Sequence, residues 1–513
     1  MFDVVIAGGG SAGCVLAARL SEDPDRTVLL LEAGPDYAGA SETPADLLAG
    51  AYPPRTHDWN YMTLDRPGRP SVAIPRGRVI GGSSSTNYCF AARARPADHD
   101  RWAELGNDGW AFDDVLPFYR AMENDRHGDD RWHGRDGRFE VSRFAWDELP
   151  SSARAAGEVM REAGYRICED INAPDEPGFG VVPLNSVDGV RRSTALSHLE
   201  DARERPNLTI RGDAHVDTVL VDGGRAVGLR LASGEEVAGR EVVLCGGAFG
   251  SPTILLRSGI GPADELGRHC IRPVHELPGV GRNLTEHPVF WNIYAAKDPH
   301  EDVRAIYQST LSVRIDAAEP DYDVHILPSA IVPTTEIPPA YVPPTTNHPT
   351  GFDFVFFVSD VQPRSRGSVT LTSTDPLAVP AIDLALYDDP RDARVVADGV
   401  RLARSFAARS PLAELLVAER APGPDVPDDD LEGAVTTAVT HYNHPCGTCR
   451  MGPADDPTAV VDPRGRLHGL DGLRVVDASI LPTIPRVAIN PTTILVAERI
   501  AAWMNGGAPS ARP

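Results

Sequence analysis

Asp3-Val4-Val5-Ile6-Ala7-Gly8-Gly9-Gly10-Ser11-Ala12-Gly13 passes from an apolar run directly into a glycine turn. The run predicts a buried parallel strand, and the residues from Ser11 onward predict a helix. Gly8 suits a tight turn, Gly10 lets backbone approach a pyrophosphate, and Gly13, with Ala17, lets the helix pack closely on the sheet. Unpaired N–H groups at the helix start, around Ser11 and Ala12, suit phosphate oxygens. A second apolar run, Val28–Leu31, ends in Glu32, about twenty residues past the glycines, the spacing of a carboxylate that accepts hydrogen bonds from a ribose 2′-OH. That carboxylate would repel a 2′-phosphate, so the expected ligand is a dinucleotide without one.

The chain has 513 residues, more than one hydrophobic core usually serves, and 42% of them are hydrophobic, enough for two domains. Asp and Glu number 73 against 49 Lys and Arg, a formal charge of -24 that opposes nucleic acid and anionic membrane surfaces. Neither is expected as a partner. Met1-Phe2 leads straight into the first strand and no run approaches a membrane span, so no membrane insertion and a cytoplasmic location are expected. The seven cysteines are odd in number and scattered, as reduced thiols are. Cys446 and Cys449 form a C-x-x-C near His441 and His444, but no second knuckle accompanies them. They are read as packed small residues in a loop, with no metal site expected.

Pro75 to Asn87 is too rich in Gly and Ser for a regular element and reads as a loop that brings backbone close to a ligand. Helix patterns follow at Asp98 to Glu104 and at Asp113 to Glu123, with Asp113 as the expected N-cap, and the charged stretch Glu123 to Gly137 reads as a surface excursion. Short β-rich runs occupy Leu208 to Arg211, Val216 to Val221, Ala226 to Leu231 and Val242 to Leu244. Gly246 to Pro252 then repeats the strand-to-helix turn and should face the same ligand. The texture changes from about Val289, with a Pro-rich loop, Val332 to Pro349, and strands Phe352 to Val358 and Ser368 to Thr372. After Thr440 small residues return, ending in strand Leu473 to Val476, the turn Asp477-Ala478-Ser479 and a helix from Thr492 to Met504. The expected architecture is α/β: a discontinuous Rossmann-like dinucleotide domain (1–145, 196–288, 440–513) and an α+β substrate domain on an antiparallel sheet (146–195, 289–439).

In this order the motifs resemble the GMC (glucose–methanol–choline) flavin oxidoreductases. The resemblance rests on the N-terminal turn through Glu32-Ala33-Gly34, the loop Gly77 to Asn87, the segment Gly246 to Pro262, and His444-Pro445-Cys446-Gly447-Thr448-Cys449-Arg450-Met451-Gly452 continuing to Asp477-Ala478-Ser479 and Asn490-Pro491-Thr492. It implies FAD, held by Gly8, Gly10, Ser11, Ala12, Gly13, Glu32, Ala33, Arg78, Gly81, Gly82, Ser83, Asn87, Val216, Asp477, Ala478, Pro491 and Thr492. It also implies oxidation of a small-molecule alcohol, with O2 or a quinone, protein or artificial acceptor taking the electrons. Some members attach FAD to a histidine where this chain has Thr86, so noncovalent FAD is expected. Choline-oxidising members carry a carboxylate after Asn283-Leu284-x-x-His287-Pro288; here Val289 follows, which disfavours a quaternary ammonium. The pattern is closest to the oxidases and dehydrogenases of primary and aromatic alcohols.

An alcohol gives up hydride readily only as its hydroxyl proton leaves, which calls for a base such as histidine. The resemblance places His444 in that role, and places Asn490 where an amide aligns the hydroxyl as hydride passes to flavin N5. Asn490 also reads as a cap of the helix beginning at Pro491, and both roles can hold together. His287 reads as structural, and Arg450 as an electrostatic anchor of its loop. Two other functions stay open: a redox-neutral lyase of the hydroxynitrile lyase type, which shares this fold, and a flavin-binding protein without turnover.

Overall fold

Four apolar strand ends come into register at one edge of the first sheet. Ala7, the last residue of strand Phe2–Ala7, pairs with Leu31 of Val28–Leu31 on one side and with Leu244 of Glu236–Leu244 on the other. Leu244 in turn pairs with Val475 of Leu473–Val475. These contacts are parallel, as is that of Leu208–Arg211 with Val28–Leu31. The computed structural model describes all residues except 51, 55, 176, 302, 337–347, 439 and 508–513. Strands Val216–Asp222 and Arg225–Leu231 complete a seven-stranded sheet as antiparallel neighbours. Val28–Leu31 is buried throughout, and Phe2–Ala7 and Glu236–Leu244 are buried over their last residues, Val4–Ala7 and Val242–Leu244, which is why these stretches are unbroken apolar runs. Helices Ser11–Leu20 and Ile489–Met504 cover it, joined by a buried Arg19–Glu498 ion pair.

The second sheet has nine strands and is mostly antiparallel. Its centre is Pro288–Ala296 against Phe352–Asp360, followed by Val324–Pro328 and Ser309–Val313. One face is covered by helix Pro390–Ala407, whose Val395, Val396, Val400 and Ala403 join Phe354, Phe356 and Val358 in a core separate from that of the first sheet. Thr440–His441, expected to open the last part of the dinucleotide domain, pair with the edge of this second sheet at Pro288 and Val289. Strand Ser368–Thr370 lies outside it in a hairpin with Ala381–Asp383. Of the Pro-rich loop, Val332–Pro333 form a short strand and Thr334–Glu336 a helical turn; 337–347 lie outside the described residues. Among the described residues no helix is long and apolar enough to cross a membrane.

Two local expectations are corrected. The helix expected to be capped by Asp113 starts at Phe112 with Ala111 as N-cap; Asp113 and Asp114 instead occupy its first turn, where they face the positive end of the helix dipole. The charged stretch 123–137 is not wholly a surface excursion, because Glu123, Asp125 and His133 are buried. His133 Nδ1 lies 2.9 Å from Glu123 Oε2 and 3.1 Å from Asp125 Oδ2, and its Nε2 lies 2.6 Å from Asp170 Oδ2. Arg93 pairs with Glu123, and Arg143 with Asp125 and Asp170. Three carboxylates thus face three cations, and the two guanidinium groups occupy the carboxylate oxygens that a metal would need. Burial opposes charge on His133, but its hydrogen bonds to Asp125, Asp170 and Glu123 outweigh this and raise its pKa to about 10.

A folded-state pKa raised above the usual histidine value gives stability that is fully present below about pH 6.5 and is lost as pH rises through about 10. Replacing His133 with Gln leaves buried carboxylates uncompensated and is expected to cost about 3–5 kcal/mol. In thermal melts from pH 7 to 10.5, the parent should lose melting temperature more steeply than the already destabilised variant.

Candidate functional site

The residues just beyond the aligned strand ends form one wall of a single cavity. Gly8 and Gly10 follow the first strand, Glu32 and Ala33 the second, Cys245 to Gly247 the long strand, and Asp477 and Ala478 the last. Gly8 turns with φ +105°, and a Cβ on it would meet the Cys245 carbonyl at 2.4 Å. A Cβ on Gly10 would find no atom closer than 3.9 Å, and one on Gly247 none within 4 Å, so both turns hold bare backbone toward the cavity. Helix Ser11–Leu20 opens on it with no side chain capping its first N–H groups, the arrangement that receives phosphate.

Glu32 is buried. Its Oε2 accepts the Gly9 N–H at 2.8 Å and its Oε1 the Gly34 N–H at 2.9 Å, so the carboxylate also ties the first turn to the second. Burial pushes its pKa up to about 7 against these hydrogen bonds. Asp477 does the same work between the third and fourth turns. Its Oδ2 accepts from the Gly247 N–H at 2.8 Å and the Ser251 hydroxyl at 2.6 Å, and its Oδ1 from the Ser479 N–H at 2.7 Å.

Of the remaining residues expected to hold the cofactor, Ser11, Ala12, Arg78, Gly82, Ser83, Asn87 and Val216 line the cavity. Gly13, Gly81, Pro491 and Thr492 do not; Gly13 packs on the Gly8 carbonyl, and Thr492 is fully buried near Tyr119. The cavity, about 1300 Å³, also takes in Thr86 and a segment the sequence did not suggest, Asp58, Trp59 and Tyr61, together with His215 and Arg257. Arg78 lies over the Trp59 ring at 5.1 Å. An open glycine backbone, an uncapped helix start and a buried carboxylate along one cavity fit a dinucleotide.

His444 and Asn490 line the same cavity. Helix Ile489–Met504 starts three residues earlier than expected, with Ala488 as N-cap. Asn490 is therefore inside the first turn and is not the cap. Its Oδ1 accepts the Ser11 hydroxyl at 2.7 Å, which leaves the amide Nδ2 for the cavity. His444 sits on a loop zipped to residues 283–289: Thr285 and Cys446 exchange both backbone hydrogen bonds at 3.0 Å, and the Tyr442 N–H donates to the His287 carbonyl at 3.1 Å. Asn443 takes left-handed φ (+66°), and its carbonyl is held by Arg76 Nη2 at 2.8 Å. Glu286 accepts the backbone N–H of both His287 and His444 at 2.8 Å.

This zipper brings His287, read from sequence as structural, against His444, Nδ1 to Nδ1 at 3.0 Å. Burial, then the neighbouring His287 and Arg76, push His444 well below the usual histidine range, so it is neutral at pH 7. Arg450 anchors its loop through Asp456 and Thr458, as expected. Cys446 and Cys449 are fully buried free thiols.

Residues 2–289 and 363–497 match the N- and C-terminal parts of the GMC oxidoreductase family. The oxygen-dependent choline dehydrogenase 1 of Chromohalobacter salexigens is 36% identical over 550 aligned residues, covering 99% of this chain and 95% of that one. A GMC-type oxidoreductase of Rhodococcus erythropolis is also 36% identical, with 98% of each chain covered. Among solved structures, pyridoxine 4-oxidase from Mesorbium loti superposes with TM-score 0.91 at 33% identity, over 99% of this chain and all of that one. A formate oxidase variant from Aspergillus oryzae gives 0.86 at 26%, over 98% and 97%. The chain belongs to the GMC oxidoreductase family, and is an FAD flavoenzyme acting on CH–OH donors.

Replacing Glu32 with Ala removes an acceptor facing the cavity and leaves the Gly9 and Gly34 N–H groups unpaired. FAD affinity of the reconstituted apoprotein is expected to fall by about 1.5–3 kcal/mol, the range for hydrogen bonds to a charged group. Unchanged flavin-quenching titrations would remove Glu32 from the cofactor site.

Proposed function

We propose that the protein oxidises an uncharged primary alcohol bearing an aromatic ring to its aldehyde, with His444 as base and Asn490 aligning the hydroxyl. The observation that carries this reading is that a wall of aromatic rings runs up to His444. Phe357 lies 4.5 Å from Tyr442 between ring centroids, and Tyr442 is stacked on His444 at 4.4 Å and 28°. Trp291 and Tyr307 extend the wall at 5.7 and 5.5 Å from Phe357. A flat ring resting on this surface would present a benzylic hydroxyl to the histidine.

Charge argues for an uncharged substrate. The lining carboxylates Glu32, Asp477 and Asp58 are already engaged by backbone N–H groups, and Glu336 is exposed. Val289 is fully buried behind the wall, packed with Tyr307 and Phe357, so no counter-charge for an ammonium stands there. This separates the proposed substrate from that named for the choline dehydrogenase relatives.

FAD held along the glycine turns, Glu32 and Asp477 would supply the hydride-accepting chemistry for the alcohol carbon. His444 takes the hydroxyl proton, while the Asn490 amide N–H donates to the same oxygen as negative charge develops on it. The imidazolium formed is unfavourable in a buried site unless a negative charge is close. The carboxylate of Glu286 lies within 4.8 Å of the ring nitrogens of His287 and His444 and supplies it. Thr86 lines the cavity where some relatives carry the linking histidine, which supports noncovalent FAD. O2 or another electron acceptor closes the cycle.

His444→Ala is expected to keep FAD yet slow anaerobic flavin reduction by an aromatic alcohol about a hundredfold to ten-thousandfold in stopped flow. Because the His444 pKa is pushed well below 6.5, the parental rate should stay flat as pH falls through 6.5 and decline only in more acid solution. A clear inflection at 6.5 would assign the base to a more exposed group.

Asn490→Asp retains the acceptor for the Ser11 hydroxyl and suits the first turn of a helix, but removes the amide donor and adds charge beside the developing alkoxide. Melting temperature and FAD content should hold while the reduction rate falls at least about tenfold. A rate loss matched by lost flavin would give Asn490 a structural role only.

A further inference from the structure

A nitrogen-to-nitrogen distance of 3.0 Å between two histidine rings requires one proton between them, carried by one ring and accepted by the other. Both rings are neutral, because burial, with His325 adding to it, also pushes His287 down to about 3. Each therefore carries one N–H, and choosing the donor fixes all four ring nitrogens.

The two rings differ in where they face. His287 is fully buried and does not line the cavity, and its Nε2 has no hydrogen-bond partner among the described residues, whereas His444 lines the cavity. A base must offer the cavity an unprotonated nitrogen, so a His444 that serves as base carries its proton on Nδ1, and Nδ1 of His287 is the acceptor.

We propose that His287 is a positioning residue: its Nδ1 accepts the Nδ1–H of His444 and so holds His444 in the tautomer whose unprotonated Nε2 faces the cavity. This rests on the reading of His444 as the base. Among the described residues no hydrogen bond occupies His444 Nε2, and His444 itself lines the cavity. The opposite arrangement would put a proton on Nε2 and leave His444 unable to accept one from an alcohol. The relative placement of the two rings is held by the backbone N–H groups that share Glu286, and their planes stand at 89°. On proton uptake His444 keeps its Nδ1–H bond to His287, so the imidazolium forms without ring motion.

Two replacements of one size separate the acceptor from mere packing. His287→Asn keeps an oxygen near the position of Nδ1, and His287→Leu does not. His287→Leu is expected to lower the anaerobic flavin reduction rate about tenfold to a hundredfold, the usual cost of losing an orienting partner, while His287→Asn recovers most of it. Equal rates in the two variants, fast or slow, would overturn the proposal. Should His287→Leu fail to retain FAD, nitrogen NMR of the parent holoenzyme labelled with 15N-histidine decides, with the His444 signals assigned by their loss in His444→Gln. A protonated Nδ1 and an unprotonated Nε2 are expected; a protonated Nε2 would overturn the assignment. That measurement needs no turnover, so its failure is distinct from a fast His444→Ala, which would overturn the base itself.

Discussion

The parallel register that sets Ala7, Leu31, Leu244 and Val475 in one row is the constraint on which the site depends. The four strands end together, and the chain beyond each end must turn away at the same level. All four turns thus open on one cavity, and the side chains that stabilise them, Glu32 and Asp477, do so by accepting N–H groups from neighbouring turns. A carboxylate in such a place serves the fold, since removing it leaves buried donors unpaired.

Another buried carboxylate acts by similar logic. Glu286 takes the backbone N–H groups of His287 and His444, two residues 157 positions apart, and so sets both rings side by side. Burial, then the neighbouring His287 and Arg76, keep His444 neutral. Ser11 performs the matching task for Asn490, joining the cofactor turn to the last helix and orienting the amide.

The dinucleotide unit is legible in the sequence because its signals are local: an apolar run, glycines at fixed spacing and Glu32 close behind. The loop carrying His444 is legible through its resemblance to the family. Contacts between distant segments are not. His287 has no local signature separating a buried packing residue from a partner of His444, and the aromatic wall draws Trp291, Tyr307, Phe357 and Tyr442 from separate segments. The stretch 123–137 reads as surface because charge normally marks solvent, and only Arg93, Arg143 and Asp170, remote in sequence, make burial of His133 and its carboxylates tolerable. Asn490 reads as a helix cap because Pro491 suits a first helical turn; the helix begins before it.

The central claim is that the cavity joins a bound FAD to an alcohol held on aromatic rings beside His444. An anaerobic titration of the purified holoenzyme with benzyl alcohol and with choline tests it most directly. Full bleaching of the flavin by benzyl alcohol, with one aldehyde formed per flavin and a far slower response to choline, is the result expected. Flavin that stays oxidised with benzyl alcohol, or that choline reduces faster, would contradict it.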